Sequence, residues 1–492
     1  MRRLLVLSAL CATLAGALPA QQTINPDTTV VTKHQTVIRG QSIAYTATTG
    51  MQPVLDEEGK ALAAVNYTYY ERDGVKDRDH RPFVISFNGG PGSATIWMQL
   101  GYTGPALLKI DDEGYPVMPY GTENNPYSIL DVADIVYVNP VNTGYSRILD
   151  PETDSKQFFG VNEDIKYLAT WITTFITRAN RWTSPKYLIG ESYGTTRVSG
   201  LALELQSAHW IFLNGVILVS PTTLGLRREG PVAEALSLPY MTATAWYHKA
   251  LAPDLQQKDL LDILPEVEQF TVEQYIPALT WGGSLDNNRR RDIASKVARY
   301  SGIQEKAILQ RNLVIPVSFF WKELLRERGF TVGRLDSRYK GIDVMDAGER
   351  PEYNSELESW LHSFTPAANY YMRNVLNYQT DLQYNMFGPV RPWNQTGDNT
   401  GRNLMTAVAQ NPYLQVLLQS GYYDGACDYF NAKYNFWQMD KAGKFQDRFD
   451  FKGYRGGHMM YLRHEDLQQA NDDLRAFFNR TIPKDGQPAQ YK

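Results

Sequence analysis

An α/β fold with a mostly parallel central sheet, flanked by helices and split by a mainly helical insertion, is what this sequence predicts. Three observations carry that prediction. Short apolar runs of strand length each end in a loop at PFVISFNGGPGS, DIVYVNPVNTGYS, KYLIGESYG and NGVILVSP. Helical patterns lie between them, most clearly VNEDIKYLATWITTFITRA at 161–179, where apolar residues recur at steps of three and four. The same alternation returns late in the chain, in NPYLQVLLQSGYYDG and DRFDFKGYRGGH, before a final helix near 464–478. Strands alternating with helices argue for βαβ units and a parallel sheet.

Taken in order, MRRLLVLSALCATLAGALPAQQ joins two arginines, an apolar run and small residues near Ala20, the layout of a secretory leader over 1–20. The run from Leu4 is short for a spanning helix and is interrupted by Pro19, so no stable membrane insertion is expected once the leader is cleaved. Secretion or a periplasmic location follows. Residues 21–222 form the first part of the core, opening with strands in TVIRGQSIAYTATTG and ALAAVNYTYYERDG. Residues 223–404 change character, with charged helical segments such as PDLQQKDLLDIL and RRRDIASKVARY, and read as a helical cap. Residues 405–492 complete the core.

Composition narrows the function. A formal charge of −4 with no long basic run gives nucleic-acid binding no support. Leader removal takes Cys11 and leaves Cys427, so the mature chain can form no internal disulfide and depends on its core. The histidines lack H-x-x-x-H spacing on a helix, and one cysteine cannot build a zinc knuckle, so neither metal nor cofactor is expected.

YLIGESYGTTR places Ser192 between Gly190 and Gly194, after a strand-like run and before a plausible helix. A serine hydroxyl is a weak nucleophile and needs a base, a group to orient that base and donors for the oxyanion. On a strand-to-helix turn of the α/β-hydrolase kind, the partners follow in the order Ser, acid, His. His458, in RGGHMM after a strand-like run, is the favoured base over His464, which reads as the start of a helix. Asp424 ends the preceding strand run and is the favoured acid; Asp428 is second choice, and Asp440 lies too deep in the next segment. The oxyanion donors are the backbone N–H of Tyr193 and that of Gly90 in FNGGPGS. That loop lacks the endings of a P-loop or a dinucleotide fingerprint. Arg197 is expected to pair with a neighbouring carboxylate.

NGGPGS, NPVNTGYS, GESYG, the GYYD segment and GGHM together resemble the serine carboxypeptidase family of α/β-hydrolases, in that family's order and spacing. FFGVNEDIKYLATWI, RWTSPKYLIGESYGTTR and NPYLQVLLQSGYYDGACDYF look like its bacterial branch. The resemblance implies a Ser192–Asp424–His458 triad, an oxyanion hole at Gly90 and Tyr193, and removal of residues one at a time from peptides with a free C-terminus. It also implies that Asn88 and Glu191 read the terminal carboxylate, Glu191 by donating a hydrogen bond while protonated. The family's second glutamate is replaced in LGYTGP by Tyr102, a phenol that donates without acid. Asn142 and Ser93 replace a glycine and a cysteine. With Tyr102 in that place, a flatter activity profile between about pH 5 and 7 than a two-carboxyl site would give is expected. An esterase or acyltransferase would use the same triad, and a binding protein without turnover would not label at Ser192.

Overall fold

The computed structural model describes residues 24–488 and 490–491, so the leader expected at 1–20 lies outside the described residues. The main sheet is built from β1 (Thr28–Ile38), β2 (Gln41–Leu55), β3 (Ala61–Arg72), β4 (Phe83–Phe87), β5 (Asp134–Val138), β6 (Lys186–Glu191), β7 (Gly215–Val219), β8 (Gln415–Gly421) and β9 (Phe449–Tyr454). Their spatial order is β1-β2-β3-β5-β4-β6-β7-β8-β9, and a short strand, Arg147–Ile148, pairs with β3. From β5 to β9 every pair in that order is parallel. The first three strands are an antiparallel meander that joins β5 antiparallel.

Parallel neighbours need crossovers, and helices supply them on both faces. α1 (Ile96–Gly101) follows β4, α2 (Val161–Arg178) follows β5 and α3 (Tyr193–Ala208) follows β6. Successive strand residues therefore face two buried layers. Ile189, Ile217 and Leu417 join the layer that also holds Leu474 and Phe478 of the C-terminal helix. Leu188, Leu218 and Leu418 join the layer of Trp171 on α2 and Leu201 on α3. This double burial is why YLI and VILV read as unbroken apolar runs rather than alternating ones. Each such side chain contributes about 1.5–3 kcal/mol, and among the described residues Cys427 is free, so these layers hold the fold without a disulfide there.

Between β7 and β8 the chain leaves the sheet. α4 (Leu238–Tyr247), α5 (Leu260–Phe270) and α6 (Asn287–Ser301) enclose a separate apolar cluster that includes Met241, Ile263, Val267 and Val297. α6 shows both end signals: Asp286 accepts from the N–H groups of Asn288 and Arg289, and Gly302 closes it at φ 72°. The later part of the excursion belongs to the main body. A hairpin pairs Thr331–Val332 with Lys340–Gly341, and α7 (Ser355–Tyr370) follows it. Tyr339, Trp360 and Phe364 from this part share one core cluster with Trp97 and Tyr102. α8 (Thr400–Gln410) buries Leu404 and Ala407 in the same layer as Leu201 of α3. The boundary expected at 404 thus falls inside a core helix, whose apolar stripe has its partner on α3. The last helix, α9 (His464–Thr481), covers the opposite face.

Candidate active site

In open parallel sheets the loops beyond the carboxyl ends of the strands form the natural crevice. Phe87 of β4 and Leu218 of β7 both pair with Gly190 of β6, so Asn88, Ser192 and the end of β7 emerge at one edge. Ser192 itself is held at φ 58° and ψ −127°, between β6 and the first residue of α3. A side chain in this region of backbone space is strained by about 1–3 kcal/mol, which the surroundings must hold in place. Its N–H donates to Val219 O at 3.0 Å, and its C=O accepts from Thr195 N at 2.9 Å. The flanking glycines are steric necessities. A Cβ on Gly190 would lie 2.2 Å from Gly194 O, and one on Gly194 would lie 2.8 Å from Phe87 O.

His458 lies four residues beyond β9 and lines the same cavity as Ser192. Its Nδ1 is 2.7 Å from Asp424 Oδ2, and both side chains are buried. The other Asp424 oxygen accepts from Ala426 N at 2.8 Å and Cys427 N at 3.0 Å. With Nδ1–H given to Asp424, Nε2 is the atom left to accept a proton. Burial lowers the pKa of His458, but the Asp424 charge and hydrogen bond outweigh it and leave it above 6.5. The rival residues are engaged elsewhere. Asp428 caps a helix through Asn431 N at 2.8 Å, Asp440 accepts from Lys444 N at 2.9 Å, and His464 meets Asp112 at 3.0 Å.

The glycine loop lies directly against the serine turn. A Cβ on Gly89 would come within 2.4 Å of Tyr193 N, and Gly90 takes φ 103°. Tyr193 opens α3, so its N–H is among the four without an intrahelical acceptor. Gly90 N donates to no other backbone group among the described residues. Arg197 braces this loop from behind. It is fully buried, meets Asp164 at 2.6 Å as an ion pair, and donates to Asn88 O at 2.6 Å and Pro91 O at 3.2 Å.

Glu191 and Asn88 meet beside the serine: Asn88 Nδ2 donates to Glu191 Oε1 at 2.9 Å, while Asn88 Oδ1 accepts from Met98 N at 3.1 Å. Burial raises the Glu191 pKa to about 7, against the lowering influence of His458, Tyr461 and Asn88. The expected phenol is not the one that sits here. Tyr102 is wholly buried, donates to Gln419 Oε1 at 2.6 Å and does not line the cavity. Tyr461 takes that place, donating its hydroxyl to Glu191 Oε2, and Tyr102 stacks flat on it with ring centroids 4.8 Å apart. The chain turns Tyr102 inward because α1 ends there, and the buried amide of Gln419 needs its hydroxyl. Tyr461 carried one sequence signal, its place three residues after His458, but nothing local in the sequence aims it at Glu191.

Two further residues escape sequence reasoning. Arg334 and Leu335, in the hairpin loop between Val332 and Lys340, line the cavity opposite Ser192. Leu335 N donates to Glu356 Oε1 at 2.8 Å, and burial lifts the Glu356 pKa to about 7. Ligand atoms of Asp424, Cys427 and His458 lie within 4.8 Å of one another. Loss of water around the Cys427 thiol, with Asp424 nearby, pushes it well above its ordinary pKa. A metal would need the thiolate, so this cluster does not fit one.

A serine held on a strained strand-to-helix turn, at the carboxyl edge of a parallel sheet, defines an α/β-hydrolase. Within that class the chain is similar to the serine carboxypeptidases. Residues 49–277 match the family model described as serine carboxypeptidase. "Serine carboxypeptidase-like 9" of Arabidopsis thaliana is 26% identical over 162 residues, covering 33% of this chain and 36% of the relative. The "retinoid-inducible serine carboxypeptidase" of Homo sapiens is 29% identical over 144 residues, covering 29% of each. The chain thus spans about a third of the length of the curated relatives it matches, 36% and 29% in these two. Among solved structures, the prohormone-processing carboxypeptidase Kex1 of Saccharomyces cerevisiae shares the fold. Its TM-score is 0.53 at 14% identity, covering 90% of this chain and 93% of that one.

Proposed function

We propose that this protein is a serine carboxypeptidase that removes C-terminal residues from peptides through an acyl-enzyme on Ser192. The observation that carries the reading is the buried Glu191–Asn88 pair beside Ser192 and His458 in one cavity. A triad alone serves any acyl transfer. A carboxyl group with a pKa near 7 at the same place can donate to a carboxylate, which is what a free peptide terminus presents.

The chemistry follows from the positions. Ser192 Oγ attacks the last peptide carbonyl while His458 Nε2 takes its proton, and Asp424 steadies the imidazolium. The oxyanion forms between the N–H groups of Gly90 and Tyr193. His458 then protonates the leaving amine, and the terminal residue departs. Water, deprotonated by His458, releases the shortened peptide. Asn88 and protonated Glu191 hold the terminal carboxylate during the first half of this cycle. The N-terminal leader directs the chain out of the cytoplasm, and a mature chain without a cysteine pair suits a bacterial periplasm.

Mass-resolved digestion of a peptide library, run beside Ser192→Ala, tests the reading. Ladders from the C-terminus that vanish in the variant are expected. Internal cuts, or ester turnover without ladders, would move the assignment to an endopeptidase, esterase or acyltransferase on the same triad.

A further inference from the structure

Three charged or titratable side chains line the cavity: Glu191, His458 and Arg334. The first two have partners inside the protein. Glu191 accepts from Asn88 and Tyr461, and His458 is bonded to Asp424. The neighbouring arginines are also committed, Arg197 to Asp164 and Arg338 to Asp336, each at 2.6 Å. The Arg334 guanidinium makes no hydrogen bond or ion pair among the described residues, and it is exposed to the cavity.

Its backbone, in contrast, is clamped. Arg334 O accepts from Gly425 N at 2.9 Å, in the loop that carries Asp424. Next to it, Leu335 O accepts from His458 N at 2.6 Å. The Asp336 side chain lies so close to Gly457 that a Cβ there would come within 2.5 Å of it. The hairpin loop is thus registered on the loops that carry Asp424 and His458, and its backbone anchors an uncommitted cation at the cavity that Ser192 also lines. The cavity lining mixes polar groups with apolar ones, among them Leu335, Leu357, Trp360 and Phe387. A planar guanidinium matches a carboxylate through two parallel hydrogen bonds.

We infer that Arg334 binds a carboxylate of the peptide substrate and so determines specificity at this site. The inference rests on the carboxypeptidase reading for the word substrate, but its test does not need turnover. Two carboxylates of a peptide can reach Arg334: the free C-terminal group, or the side chain of an aspartate or glutamate next to the scissile bond.

The experiment measures calorimetric binding of blocked dipeptides to the inert Ser192→Ala protein, with and without Arg334→Gln, at one pH. Three ligands are compared: a neutral dipeptide acid, its C-terminal amide, and an amide with glutamate as penultimate residue. Terminal-carboxylate binding predicts that Arg334→Gln weakens the free acid by at least about tenfold and leaves the neutral amide within about twofold. Side-chain binding predicts the same loss for the glutamate amide alone. Arg334→Lys should retain part of either effect, because it keeps the charge and loses the fork. Equal affinities for all three ligands with and without Arg334→Gln overturn the inference, as does failure of the Ser192→Ala protein to bind any of them. If the parent enzyme yields no C-terminal ladders, the carboxypeptidase reading falls, while this binding result is decided separately.

Discussion

Residues 83–222 carry the serine turn, the glycine loop and the bracing arginine; residues 331–461 carry Arg334 and His458, which line the same cavity as Ser192, and behind them Asp424 and Tyr461, bonded to His458 and Glu191. The first region is fixed by backbone fitting against backbone. Gly190, Gly194 and Gly89 each lie where a Cβ would strike a main-chain atom within 2.8 Å. The second region is fixed by contacts that join distant stretches, such as His458 N to Leu335 O and Tyr461 to Glu191, 270 residues apart. The family match over 49–277 covers the first region and stops before the second. A turn that tolerates no side chain leaves a compact local pattern. A wall assembled from loops and hairpins can change its members while the turn stays the same.

The largest effect should come from the first region. Ser192→Ala is expected to lower kcat/KM by roughly 10⁴-fold or more with the melting temperature preserved, since one atom leaves and no cavity opens. A residual rate within tenfold of the parent would break the assignment. Gly190→Ala should act on folding rather than on chemistry. The new methyl has only backbone to displace, so a loss of about 1–3 kcal/mol in denaturant unfolding is expected, with activity falling in step with the folded fraction. An unchanged midpoint would show that the turn has slack that its geometry denies.

The second region should show itself in pH dependence. His458 must be neutral to take a proton, and Asp424 holds its pKa above the ordinary imidazole range in spite of burial, so kcat/KM falls as pH drops through that raised pKa. Glu191 must be protonated to meet a terminal carboxylate, and its pKa of about 7 makes activity fall again as pH rises through neutrality. A loss of activity on both the acid and the alkaline side replaces the flatter profile argued from Tyr102, because that side chain does not reach the cavity. Glu191→Gln should cost about tenfold at the optimum and abolish only the alkaline limb, as an amide has no proton to lose there. Persistence of the alkaline limb in that variant would place its titration elsewhere.

The smallest effect sharpens the contrast between two stacked phenols. Tyr461→Phe removes a donor from the Glu191 carboxylate, whose pKa should rise further and carry the alkaline limb upward, with a change of a few fold in KM. Tyr102→Phe should leave kcat/KM within about twofold yet destabilise by about 1–3 kcal/mol, because Gln419 Oε1 loses its buried donor. The reverse ranking in a pH–rate series would restore Tyr102 to the site.

Much of this was legible in the sequence. Strand runs buried on both faces, a helix with three- and four-residue spacing, and a serine between two glycines are all signals carried by neighbours in the chain. The order of Ser192, Asp424 and His458 followed from the same strand-end logic, and the structure brings Asp424 and His458 into contact at 2.7 Å. Tyr102 misled because spacing after a loop says where a residue is, not which way it turns. α1 ends at that residue, and its side chain is drawn into the core by Gln419. The limit of the insertion misled for a related reason: α8 looks like another amphipathic helix until its partner on α3 is seen.

The sequence by itself determined the sheet and the elbow at Ser192, and it singled out Asp424 and His458 as the candidate acid and base. Short-range sterics, hydrophobic burial and strand order each leave a local trace. Only the tertiary structure decided that Tyr461 partners Glu191, that Arg197 braces the glycine loop and that Arg334 stands uncommitted in the cavity. Those outcomes depend on which distant side chains compete for the same buried oxygen or the same open space, and no window along the chain contains both competitors.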